Sequence, residues 1–562
     1  MRRETAIDLP NLPDVPPKEV MTGNTIALSG YQISEQIYEG SRTLVYRGMR
    51  ETDSQPVIVK VLRNPYPHFR ELVQFRNQYI ITRHLDSPYI VRPLALERCG
   101  NGYALVMPDE GAIALPDYWQ QSNHNLSLFL TIAIQLAEAL HYLGQQRIIH
   151  KDIKPANILI CPETQQVKLI DFSISSLLPK ETQQIQNPNV LEGTLAYISP
   201  EQTGRMNRGI DYRSDFYSLG VTFYELLAGF LPFDSSDPME LVHSHIAKTP
   251  LALDMFLDAE GKPHPEVLST IVLKLIAKNA EDRYQSALGL KHDLEKCLSQ
   301  WQETRTIELF ELGERDLCDR FLIPEKLYGR EKEVAQLLTA FERVSSGSSE
   351  MVLVAGYSGV GKTAVVNEVH KPIVEVRGYF IKGKFDQFNR NIPFSAFVQA
   401  FRDLMGQLLS ESDTDLADWK AKILDALGDN AQVIIDVVPE LEQIIGTHPP
   451  VPELSGSAVQ NRFNLLFEKF IQVLTTRNHP LVLFLDDLQW ADSASLNLLQ
   501  LLMGETEMGY LLVLGAYRDN EVSPAHPLML TLNEIAKNEA IVNTITLEPL
   551  SQLALNHLIA DT

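Results

Sequence analysis

From Tyr31 onward the chain alternates apolar and polar positions, after a proline-rich start (NLPDVPPKEV) that shows no period of either kind. Residues 1–30 are therefore expected to form an extended leader, since such a stretch offers little apolar surface to fold upon. Period-two alternation predicts strands over 31–37, 44–49 and 56–62, and Val57-Ile58-Val59-Lys60 reads as a buried strand ending in a lysine. Ala104 to Pro108 continues in the same manner. Between Leu126 and Gln145 the apolar residues recur at three- and four-residue spacing (LFLTIAIQLAEALHYL), which predicts a long core helix. Residues 301–320 are charged and are expected to form a helical connector. Beyond it the pattern changes to uniformly apolar runs at 351–355, 481–485 and 511–515, as expected of strands buried on both faces of a parallel sheet.

Composition narrows this picture without changing it. A chain of 562 residues exceeds what one core can organise, so several domains are expected. The formal net charge of -23 disfavours nucleic acid as a partner and adsorption to an anionic membrane. Four cysteines, Cys99, Cys161, Cys297 and Cys318, lack metal-ligand spacing and fit a reducing compartment. No apolar run suggests a bilayer span, and the first residues, MRRETAIDLP, hold no apolar core of a signal peptide. The expected location is the cytoplasm, without membrane insertion.

The first concentration of chemistry is His150-Lys151-Asp152-Ile153-Lys154-Pro155-Ala156-Asn157, followed by Asp171-Phe172-Ser173. Phosphoryl transfer from ATP needs a carboxylate to receive the hydroxyl proton, a cation on the moving phosphoryl group and ligands for metal. Asp152 supplies the first, Lys154 the second, and Asn157 and Asp171 the third. The stretch resembles the catalytic loop of eukaryotic-type protein kinases, in the form seen in those acting on serine and threonine. That resemblance implies that Lys60 holds the α and β phosphates, that Gly40 and Val45 lie in the loop over the phosphates, and that Met107 lies at the adenine hinge. It also implies a pairing of Glu201 with Arg283. Five residues depart from the family pattern. Tyr38 and Thr43 stand where glycines are expected, Gln78 replaces the glutamate that pairs with the strand lysine, and Ser173 replaces glycine. Lys151 stands where the family has arginine.

A second set begins at Gly356-Tyr357-Ser358-Gly359-Val360-Gly361-Lys362-Thr363, a phosphate-cradling P-loop between a strand and a helix. Lys362 would bridge the β and γ phosphates and Thr363 would ligate magnesium. Leu481 to Leu485 delivers Asp486, a magnesium ligand through water, and Asp487, where many such ATPases place the glutamate that polarises water. Arg518, after the strand that begins at Leu511, is placed to sense the γ-phosphate. With GYFIKGKFDQFNRNIPFS and HPLVLFLDDLQWADSASL, this half resembles the STAND branch of AAA-like ATPases, as found fused to bacterial serine/threonine kinases.

The expected architecture is multidomain: an α+β bilobal protein-kinase fold over 31–298, a helical linker over 299–324, and an α/β P-loop ATPase with a mostly parallel sheet over 325–562, its lid and downstream modules absent. The expected activity is phosphotransfer to protein serine and threonine hydroxyls, with ATP and Mg2+ as cofactors and an ATP-binding switch as the second domain. Protein substrates are the expected partners, with self-association or signalling contacts through the ATPase domain. The alternative is a nucleotide-dependent scaffold without phosphoryl transfer, favoured by the departures at 38, 43, 78 and 173.

Overall fold

The computed structural model describes residues 28–560 except 41, 123, 178–193, 207, 258–260, 318–326, 370–371, 374–377, 388–391, 410, 412, 453–456, 505–507 and 539. Most of the leader, Thr182 and Gly193 of the segment after Asp171, Cys318 and the end of the linker thus lie outside the described residues. The chain divides into two compact units, residues 1–177 and 178–562.

In the first unit, β1 (Tyr31–Glu39), β2 (Thr43–Arg50), β3 (Pro56–Leu62), β4 (Ala95–Cys99) and β5 (Gly102–Pro108) form an antiparallel sheet in the order β1-β2-β3-β5-β4. Alternation sets its two faces. Val57, Val59 and Val61 join Tyr46, Ala104 and Val106 in one apolar cluster, whereas Ile58 and Leu62 join Leu105 and Met107 against Phe75. Lys60 shares the parity of Ile58 and Leu62, so its side chain belongs to the face covered by the helix Phe69–Thr82.

The helix Leu126–Gln145 starts at Asn125, whose side chain accepts from the amides of Ser127 and Leu128. Contrary to the sequence expectation, this helix is long and apolar enough to cross a membrane, with 20 residues and a mean hydropathy of 1.5, but half of it is buried within the protein. Phe129, Leu130, Ile132, Leu136 and Leu143 are enclosed, which accounts for the hydropathy as core packing. A small sheet of β6 (Ile113–Ala114), β7 (Ile158–Cys161) and β8 (Gln166–Leu169) follows. Its β7–β8 hairpin brings residue 171 back beside the loop at 150–157: the Ile170 amide donates to the Asn157 carbonyl at 3.0 Å.

In the second unit, Glu201 and Arg283 form a buried pair at 2.7 Å. The helix Arg213–Ala228 uses Gly220 for close packing, since a Cβ there would lie 2.6 Å from Leu275. The helix Ala287–Thr304 stops at Arg305, which adopts a left-handed conformation with φ 58°. Residues 305–317 are not helical, a correction to the expected connector. Asp316 folds back and accepts from the amides of Gln285 and Ser286, so this stretch caps the preceding helix instead of extending it.

The second sheet is parallel throughout, in the order β10-β11-β12-β9-β13: β10 (Tyr379–Lys384), β11 (Leu481–Asp486), β12 (Leu511–Tyr517), β9 (Ser349–Ala355) and β13 (Ile541–Thr546). Gly383 of β10 lies against the helix Ser395–Leu408, where a Cβ would come within 1.9 Å of the Ala396 carbonyl oxygen. Gly383→Ala is therefore expected to destabilise this domain by about 3 kcal/mol or more, because backbone cannot move aside as a side chain can. Gly406→Ala in that helix meets nothing within 4 Å and is expected to be neutral or to stabilise by up to about 1 kcal/mol. Urea unfolding of the two variants reads the contrast.

Candidate functional site

In the first unit the chemistry-bearing residues converge from three elements. The strand β3 presents Lys60, which is buried. Its Nζ lies 2.9 Å from Asp171 Oδ1 and donates to Gln78 Oε1 at 3.2 Å. Gln78, also buried, is a neutral acceptor, so Asp171 carries the negative charge that balances Lys60. Burial alone would raise the Asp171 carboxyl, but the ammonium of Lys60 outweighs it, with a hydrogen bond from Ser173 helping, and brings it to about 2. Ser173 thus supports the carboxylate at a position where glycine would offer no side chain. Glu71 instead accepts from the His68 amide at 2.8 Å, capping the start of its helix.

Around Asp152 the loop is tightly organised. Lys154 Nζ lies 2.7 Å from Asp152 Oδ2, and the Asn157 amide nitrogen donates to the same oxygen at 2.8 Å and to the Asp152 carbonyl at 2.9 Å. That commits the nitrogen of Asn157 to Asp152 and leaves its carbonyl oxygen as the atom for a cation. His150, fully buried, contacts the Ile170 carbonyl through Nε2 at 3.1 Å and packs edge-on against Phe172 at 4.5 Å, linking this loop to the segment carrying Asp171. Lys151 is buried in a left-handed conformation, and the hydroxyl of buried Ser175 donates to the His150 carbonyl.

The turn expected to cover the phosphates is less regular. Gly40 closes the β1–β2 turn through its amide, which donates to the Thr43 carbonyl at 2.8 Å. The Tyr38 ring leans over Gly40 so closely that a Cβ there would meet it at 2.9 Å. Val45 stands opposite Lys60 across the β2–β3 pair, and Met107 opposite Ile58. The structure thus brings Lys60, Gln78, Asp152, Lys154, Asn157 and Asp171 together within one unit.

The second set forms at the C-terminal edge of the parallel sheet. β9 runs into a loop in which Gly356, Gly359 and Gly361 have φ values of 151°, 80° and 102°, a backbone that side-chain-bearing residues seldom adopt. Lys362 Nζ donates to the carbonyls of Gly356 and Tyr357 at 2.8 and 2.9 Å, curling its charge into the loop. Because β12 separates β9 from β11, Asp486 stands one strand away from the loop, and the Thr363 hydroxyl reaches it at 3.4 Å. Burial, seconded by Asp487, raises the Asp486 carboxyl above its ordinary range. Thr363 and Asp486, like Asn157 and Asp171, offer only oxygen atoms, which suits a hard cation such as magnesium.

Asp487 has a φ of 54° and is held by three partners: Lys384 at 3.3 Å, Arg518 at 3.4 Å and the Gln489 amide at 2.9 Å. Arg518, assigned in the sequence to the γ-phosphate, also pairs with Glu521 at 2.8 Å and lies over the Trp490 ring at 4.7 Å. Lys384 and Gln489 escaped the sequence reading. The signal for Lys384 was the alternation Tyr379-Phe380-Ile381-Lys382-Gly383-Lys384, whose last residue falls in register with Asp486.

Comparison with known proteins agrees with both halves. The chain is 38% identical over 468 residues to the hybrid signal transduction histidine kinase G of Dictyostelium discoideum, covering 67% of this chain and 13% of that protein. It is 32% identical over 270 residues to the serine/threonine-protein kinase PrkC of Bacillus subtilis, covering 47% of this chain and 40% of PrkC. With the serine/threonine-protein kinase PknB of Mycobacterium leprae it shares 37% identity over 168 residues, 29% of this chain and 25% of that one. The chain thus spans between 13% and 40% of the length of these relatives. Residues 31–296 match the protein kinase domain and residues 326–514 the AAA ATPase domain, so the chain carries a protein kinase domain followed by an AAA ATPase domain.

Proposed function

We propose that this chain transfers the γ-phosphate of ATP to serine and threonine hydroxyls of proteins, and that its second domain is an ATP-binding switch governing that output. The observation that carries the reading is the joint placement of Asp152, Lys154, Asn157 and Asp171 with Lys60. Asp152 would take the proton of the attacking hydroxyl, and Lys154, which shares its carboxylate, would counter charge on the phosphoryl oxygens in flight. Lys60 would orient the α and β phosphates, with Gly40, Val45 and Met107 enclosing the nucleotide. In the second domain Gly356, Gly359 and Gly361 would let backbone amides face the phosphates, while Lys362 turns from its loop carbonyls toward them. Magnesium, when bound, neutralises phosphate charge; Asn157 and Asp171 would hold it in the first domain, and Thr363 and Asp486 in the second.

The proposed boundaries are 31–298 for the kinase domain and 325–562 for the ATPase domain, with protein substrates as partners and signalling or self-association contacts through the ATPase domain. The thiols of Cys99, Cys161 and Cys297 are unbridged, which supports a cytoplasmic setting.

A second reading, a nucleotide-dependent scaffold, is favoured by Gln78, whose neutral amide leaves Lys60 with Asp171 as its carboxylate partner among the described residues. Incubating the purified chain with γ-labelled Mg-ATP and a generic protein acceptor separates the two. Label on serine or threonine is the expected result. Nucleotide binding without transfer, with transfer appearing on Gln78→Glu, would establish the scaffold instead.

A further inference from the structure

Lys384 ends β10, directly in register with Asp486 of β11. Its backbone is firmly placed: the Lys384 amide donates to Gln399 Oε1 at 3.0 Å, and the preceding Gly383 is pressed against the Ala396 carbonyl. The side chain is not. It is 61% exposed, with Nζ 3.3 Å from Asp487 Oδ2 and 4.0 Å from Asp486 Oδ2. The same Asp486 Oδ2 lies 3.4 Å from the hydroxyl of Thr363. One carboxylate therefore separates the Lys384 ammonium from Thr363, the P-loop side chain that would hold magnesium.

Two cations share Asp487, and they are held very differently. Arg518 is 25% exposed and is restrained by Asp487, by Glu521 and by the face of Trp490. Lys384 projects into solvent from a fixed backbone, and among the described residues its ammonium pairs with the carboxylates of Asp486 and Asp487. Only the carboxylate end of this pair is buried; the ammonium end stays in solvent, which holds Lys384 weakly, whereas a lysine on a phosphate oxygen forms a stronger charge-assisted bond. The exchange costs little and also leaves Asp487 with its remaining partners, Arg518 and Gln489.

We propose that Lys384 is a γ-phosphate ligand of the second domain, leaving Asp487 when a nucleoside triphosphate occupies the P-loop and returning to it when a diphosphate does. The inference rests on the reading that this P-loop takes ATP. It adds triphosphate discrimination by Lys384 to the γ-phosphate contact expected of Arg518, which also holds Asp487. Occupancy would thus be reported to β10, and through Gly383 to the helix packed on it, by movement of one side chain.

The test uses the full chain carrying Lys60→Met, which weakens nucleotide binding at the kinase site, and titrates a non-hydrolysable ATP analogue and ADP calorimetrically. Lys384→Ala is expected to weaken the triphosphate analogue by about tenfold, the scale of one lost charge-assisted contact, with ADP changed by less than about twofold. Lys384→Arg, which keeps the charge and the length, is expected to retain most of the discrimination. Equal weakening of both nucleotides, or no change in either, would overturn the proposal. The underlying reading fails separately: if the Lys60→Met parent binds neither nucleotide, or binding survives Lys362→Ala unchanged, the P-loop is not the site and the role given to Lys384 falls with it.

Discussion

Asp152→Asn is expected to lower phosphotransfer to protein by about 10²- to 10⁴-fold, the usual contribution of a positioned general base, while leaving nucleotide affinity within a few-fold. The substitution keeps size and shape but removes the group that accepts a proton. It also removes half of a shared anchor, because Asp152 Oδ2 receives both the Lys154 ammonium and the Asn157 amide. Asp152→Ala releases both side chains at once and is expected to cost more than Asp152→Asn for that reason. Lys362→Ala, more than two hundred positions along the chain, is expected to leave labelled serine and threonine detectable, since it belongs to the other phosphate site. Rates measured over a range of ATP concentrations distinguish these effects: loss at saturating ATP marks Asp152. Transfer that is unchanged in Asp152→Asn would remove this residue from the mechanism.

The second large effect is on stability. Arg283→Met is expected to destabilise the kinase domain by about 3–5 kcal/mol at neutral pH, as when one partner of a buried ion pair is deleted. Arg283 and Glu201 are almost wholly enclosed, with side-chain exposures of 0% and 2%. Arg283 donates to both Glu201 oxygens, and Ser214 donates to one of them, so the carboxylate is satisfied only while charged. Burial would raise the Glu201 carboxyl, yet Arg283 overcomes this and lowers it from 4.5 to about 2. The stability it contributes is therefore fully present above its unfolded pKa and is lost as the pH falls through the folded value. In Arg283→Met the sign reverses. Burial then pushes the carboxyl up, so acidification from neutral toward pH 5 should recover part of the deficit by neutralising a stranded charge. Calorimetric unfolding across that range tests the crossing; a deficit independent of pH would mean that packing, and not charge, is what Arg283 contributes.

Both candidate phosphate sites were legible in the sequence because their residues are compressed into short segments. Asp152, Lys154 and Asn157 occupy six consecutive positions, and the P-loop eight. Spacing inside such segments is nearly geometry, since few backbone conformations connect them. The strands at 351–355, 481–485 and 511–515 were equally plain, as parallel strands covered on both faces must be apolar throughout. Less of the sheet edges could be read. β13 carries Ile541-Val542-Asn543-Thr544-Ile545-Thr546, mostly exposed, and β10 mixes lysine and glycine into its apolar run. Both are held by backbone pairing to a neighbour, which leaves little trace in composition. The connector failed for a related reason. Its charges suit an exposed helix, but Asp316 finds the free amides of Gln285 and Ser286, a tertiary alternative invisible to periodicity.

What the sequence determined by itself was the inventory: which residues can accept a proton, carry a cation or cradle a phosphate, and on which kind of element each one sits. The tertiary structure decided who holds whom. Gln78 reaches Lys60 because the β3 parity and the helix Phe69–Thr82 bring them to one face, and Asp171 takes up the charge that Gln78 lacks. Lys384 meets Asp487 because β10 pairs in register with β11, although about a hundred residues separate them. Local pattern records what each residue prefers for itself. A pairing across strands depends on register and sheet order, which are set by the packing of the whole core and are written at no one position.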